Sequence, residues 1–121
     1  MEFIHEKEHQ LQTLFKTMYG LFSKSLKSKN LSYSSIGREI HQLLHDFIQL
    51  WYKITPYVKL NVIKTNLPDV VYSHCMQLKV KVDTHIANIL LLVYFFTILK
   101  RVGPQGSYRQ FVFTYLQGLE S

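Results

Sequence analysis

An all-α domain is predicted over residues 1–121: four to five helices in a compact bundle around a buried central helix at 84–101, or a short α-solenoid-like (HEAT-like) stack of helix pairs. Three features lead there. Apolar residues recur at steps of three and four through most of the chain. Pro, Gly, Ser and Asn gather in short stretches between the patterned segments. The stretch from Thr84 to Arg101 is apolar on every side of a helical wheel, and a helix of that kind has to be covered all round.

Residues 2–28 read as a long amphipathic helix. Ile4, Leu11, Leu14, Phe15, Met18, Phe22 and Leu26 make its stripe, with a gap at Glu8. Glu2, Glu6 and Glu8 in its first turns and Lys24 and Lys27 in its last suit the helix dipole. Gly20 weakens the interior by about 1 kcal/mol relative to Ala, and marks either a close helix crossing or nothing. Ser28-Lys29-Asn30 is a turn, after which Ser32, Ser34 and Ser35 offer N-caps for a second helix at 35–53. Its apolar arc runs from Ile36 through Ile40, Leu43, Leu44, Phe47, Ile48 and Leu50 to Trp51 and spans about 160°. Thr55-Pro56 breaks or kinks that helix, and Pro56 fits the first position of a new one capped by Thr55.

The next segments admit two readings. Val58, Leu60 and Val62 alternate as in a strand, and so do Leu78, Val80 and Val82. A β-hairpin across 66–77 is the alternative to two short helices at 56–64 and 68–82, and the helices are preferred. Pro68, after Asn66, starts the second of them, with Asp69 in its first turn. Asp83 or Thr84 then caps the central helix, and Lys100 and Arg101 suit its C-terminal end. Gly103-Pro104-Gln105-Gly106 is a firm turn. Ser107 caps a last helix striped by Tyr108, Phe111, Val112, Tyr115, Leu116 and Leu119. The unbroken apolar run from Ile86 to Leu99 has 14 residues, and a membrane span needs about 20. A core helix is therefore expected, and a membrane is not expected as a partner.

Hydrophobic residues make up 47% of the chain, with eight Tyr and eight Phe, which argues against disorder. Cys75 is the single cysteine, so no internal disulfide forms, and the charged N-terminus does not resemble a signal peptide. An intracellular location, cytoplasm or nucleus, is the expectation. The net charge of +6 is spread thinly.

Few residues offer chemistry. His5 and His9, and again His41 and His45, are four apart on helices and could share a metal ion. A zinc site needs three or four ligands, no HExxH is present, and Cys75 stands with His74 alone. Rim histidines are expected, with no metal and no cofactor. No glycine-rich phosphate loop, G-x-S-x-G or paired-carboxylate set appears, and the expectation is a non-enzyme. Arg38 and His45, separated by six residues with Glu39 after the arginine, resemble the Arg-x(4–6)-His signature of HEPN-type helical ribonucleases. That resemblance would imply Arg38 stabilising phosphate charge and His45 acting as acid or base. It is the minor reading.

The leading expectation is a non-catalytic helical protein–protein interaction module: a complex subunit, adaptor or scaffold fragment, in a hetero-complex or a homo-oligomer. Its large apolar residues exceed what such a chain easily hides, and Tyr52, Tyr57, Tyr94, Phe95, Tyr108, Phe111 and Tyr115 are the partner-binding candidates. The alternative is a nucleic-acid-binding helical domain with Lys24, Lys27, Lys29, Lys100, Arg101 and Arg109 on phosphates.

Overall fold

Apolar residues at steps of three and four draw the described residues into four helices. The computed structural model describes residues 2–28, 33–62, 69–103 and 106–120. The helices are α1 (Glu2–Lys27), α2 (Tyr33–Val62), α3 (Asp69–Val102) and α4 (Ser107–Gly118). No strand occurs among the described residues, so the hairpin alternative gives way to helix at 57–62 and 78–83. Lys29, Ser32, Lys64, Asn66, Pro68, Pro104 and Gln105 lie outside the described residues. The helices pack together as a bundle, in which α1 and α3 each touch every other helix.

The core is one cluster. From α1 it takes Ile4, Leu11, Met18, Phe22 and Leu26; from α2, Ile40, Leu43, Phe47, Leu50, Ile54 and Val58. From α3 it takes Cys75, Leu78, Val82, Ile89, Leu92, Phe96 and Leu99, and from α4, Val112 and Leu116. Phe22 and Phe96 meet edge to face at its centre, ring centroids 5.5 Å apart. Full burial of each such side chain contributes about 1.5–3 kcal/mol. In α1 the gap at Glu8 is bridged by Lys7, whose stem is buried while its ammonium lies over the Phe3 ring at 5.2 Å and 3.4 Å from Gln10 Oε1.

Two expected breaks are absent. α2 runs through Pro56 without ending. A helical proline removes one backbone bond, here to the Tyr52 carbonyl. The ring sits on the exposed side, and Ile54 and Val58 are buried on either side of it, so core packing carries the helix across. Thr55 does not cap a new helix; its hydroxyl donates to the Trp51 carbonyl at 2.7 Å, within the turn.

The second correction concerns α3, a single helix of 34 residues that absorbs both the expected 68–82 element and the central helix. Neither Asp83 nor Thr84 caps anything; Thr84 donates to the Val80 carbonyl at 2.9 Å in mid-helix. No Gly or Pro interrupts the sequence from Asp69 to Val102. The seam of Cys75, Leu78, Val82, His85, Ile89, Leu92, Phe96 and Leu99 keeps strict steps of three and four across the supposed boundary. At its end Gly103 takes φ 97° and donates its N–H to the Leu99 carbonyl at 2.8 Å. Ser34 and Ser35 fall inside α2 rather than before it. Ser107 is the first residue of α4, whose N-cap is Gly106 at φ 111°, with no side-chain cap.

α3 is not covered all round, contrary to the expectation. Its most apolar 18-residue stretch is only 28% buried, and Val70–Val102 is long and apolar enough to cross a membrane by length and composition. The 14-residue run therefore understated the helix. A bundle of four helices can cover only one side of any member, and the other side of α3 is the feature that matters next.

Candidate functional site

Opposite its core seam α3 carries a second apolar row. Val80, Ala87, Leu91, Tyr94, Ile98 and Val102 fall on one side of the helix at steps of three, four or seven, with Thr84 completing the spacing and Leu90 at the edge. Val80 is 55% exposed, Leu90 55%, Leu91 43%, Tyr94 59% and Val102 59%. Solvated leucines and a tyrosine at helical spacing form a continuous ridge, unlike the scattered apolar residues of an ordinary surface.

Aromatic rings widen the ridge toward α4. Phe95 is the pivot: its ring lies 6.2 Å from Tyr94, 5.4 Å from Phe111 and 5.2 Å from Tyr115, the last two edge to face. Tyr108 stands 5.8 Å from Phe111, which is itself 51% exposed. The Tyr115 hydroxyl donates to Asn88 Oδ1 at 2.7 Å, tying α4 to α3, and burial raises its pKa. Desolvation, reinforced by Tyr94, raises the Tyr108 phenol as well. Five of the seven partner-binding candidates thus converge: Tyr94, Phe95, Tyr108, Phe111 and Tyr115. The other two lie elsewhere. Tyr57 is half-buried against Phe3 at 4.3 Å. Tyr52 is exposed beside Trp51, over which Lys79 sits, 15 residues or about 22 Å of helix before Tyr94.

Val80, Leu90, Leu91 and Val102 were not anticipated as surface. The signal was present: a helix apolar on both sides, with three others among the described residues to cover it.

The cations divide. Arg109 donates from Nη2 to the Leu26 carbonyl at 2.7 Å and closes the C-terminus of α1, so it acts as a fastener between helices. Lys24, Lys27, Lys100 and Arg101 are exposed in the last turns of α1 and α3, where they offset two helix dipoles. Arg109 brings the start of α4 to the end of α1, so α1 and α3 close at the same end of the bundle.

A cleft of about 660 Å³ lies between α1 and α3, its floor of Leu11, Phe15 and Leu78 edged by His5, Glu8, His9, Gln12, Lys81 and His85. His85 sits between Phe15 and Phe47, at 4.9 and 5.7 Å, and its Nδ1 is buried without a hydrogen-bond partner. Desolvation, with Lys81 adding to it, lowers its pKa and so favours the neutral ring. Glu8 approaches His5 and His74, each at 3.9 Å. Among the described residues no group of three or more His, Cys, Asp and Glu is placed to hold a metal. His41 is exposed, and Arg38 and His45 share the open outer side of α2, with His45 3.5 Å from Asp46. Cys75 is buried, which raises its thiol pKa.

No family model, curated protein or solved structure matches the chain.

Proposed function

We propose that this is a non-catalytic helical interaction module that docks a protein through the outer row of α3 and the adjoining aromatic rings of α4. One observation carries the reading: Leu90, Leu91, Tyr94 and Phe111 stand 43–59% exposed on one continuous face, in a bundle whose core is already filled by other residues. Burying that face recovers hydrophobic free energy that the isolated chain leaves unused. The Phe95 cluster holds the rings in fixed positions, which lowers the entropy lost on docking. An intracellular scaffold or complex subunit fits this chemistry.

The test is affinity capture of the tagged chain beside its Leu91→Glu and Tyr94→Glu variants. Proteins retained by the parent and lost by both variants support the reading. A retained set indifferent to both removes it.

A second reading, nucleic-acid binding, draws on Lys24, Lys27, Lys100 and Arg101 at one end of the bundle. Its signature is affinity that falls steeply with salt and is insensitive to Leu91→Glu.

A further inference from the structure

We infer that the occupant of the outer α3 face is a second copy of this chain, its α3 antiparallel to the first about a twofold axis near Leu91. The inference rests on the interaction reading above and names its partner.

The row is symmetric about that point. Val80 and Val102 lie eleven residues to either side of Leu91, and Thr84 and Ile98 lie seven. Reversing the helix therefore lays Val80 on Val102, Thr84 on Ile98 and Leu91 on Leu91. Ala87 is the smallest residue of the row and Tyr94 the largest, four residues before the centre and three after it. Antiparallel pairing sets each Tyr94 over the Ala87 of the other copy, bulk against space.

Charge selects the same arrangement. Asp83 and Arg101 are exposed and 18 residues apart, five full turns, so both lie on the same flank of the row. A twofold axis perpendicular to the helices keeps each flank on its own side while reversing direction. Asp83 of each copy then arrives beside Arg101 of the other, giving two equivalent ion pairs at the ends of the seam. Asp83 is the only acid between Val80 and Val102, and it falls where the opposing cation requires it.

The experiment measures the mass of the purified full chain in solution at micromolar concentrations. Expected is twice the 14.3 kDa of one chain. Leu91→Glu is expected to give a monomer of unchanged helix content by circular dichroism. Asp83→Arg and Arg101→Asp alone should each weaken the dimer about tenfold, and the double variant should recover it. A parent chain that remains monomeric overturns the inference, as does a double variant no tighter than the singles. A monomer that floats with phosphatidylcholine vesicles overturns it in favour of lipid. A monomer that still captures a heterologous protein, sensitive to Leu91→Glu, overturns the second copy while leaving the interaction module standing.

Discussion

His85 gives the molecule a pH dependence whose sign follows from its surroundings. Phe15 and Phe47 flank the ring, Lys81 faces it from its own helix, and His5, Glu8 and His9 line the cleft from α1. Its pKa in the fold lies below the ordinary 6.5. As pH falls through that ordinary value the unfolded chain takes up a proton that the folded chain refuses, so stability falls with it. The loss continues until the pH passes the lowered folded value. Thermal melts between neutral and mildly acidic pH should show the decline, and His85→Leu should flatten it. Arg109 makes a different kind of contribution. Its bond to the Leu26 carbonyl serves a group that α1 itself cannot satisfy. Arg109→Ala is expected to destabilise the fold by about 1.5 kcal/mol in urea titration.

Whole helices were legible in the sequence where periodicity and end charges agreed, as they do for α1, while at the start of α4 the turn was legible but the cap proved to be Gly106 instead of Ser107. They were misread where a local signal opposed a longer one. Pro56 and Thr84 look like ends because proline lacks a donor and threonine is a good cap. Each is overruled by core residues on both sides, and the threonine hydroxyls at 55 and 84 turn inward to carbonyls four residues back. The seven-residue repeat of α3, followed past Asp83 instead of stopped there, contained the answer. Lys7 was passed over in the α1 seam because its charge hides an apolar stem. The convergence of Phe95, Phe111 and Tyr115 could not be read, since it depends on how α4 lies beside α3. Gly20 illustrates the converse: it faces open space, with nothing within 4 Å of an added Cβ, so no helix crosses closely there. Gly20→Ala should therefore stabilise α1 by about 1 kcal/mol, as a rise in the melting temperature.

The bundle as a whole leans on α3, which packs against α1, α2 and α4 and most extensively against α2. Phe96→Ala, emptying the position beside Phe22, should lower stability by about 3–5 kcal/mol and reduce cooperativity in urea unfolding. The four helices do not share that core equally. α4 is 12 residues long and buries only Val112 and Leu116, and among the described residues it meets α1 and α3 but not α2. The other three helices close a core without it. Amide protons of α4 should consequently exchange with solvent through a partial opening that leaves α1, α2 and α3 protected. In that opened form Phe95 loses two of its ring neighbours and Asn88 its hydrogen bond. The last helix is thus a clasp, and the aromatic margin of the α3 face holds together only while it is shut.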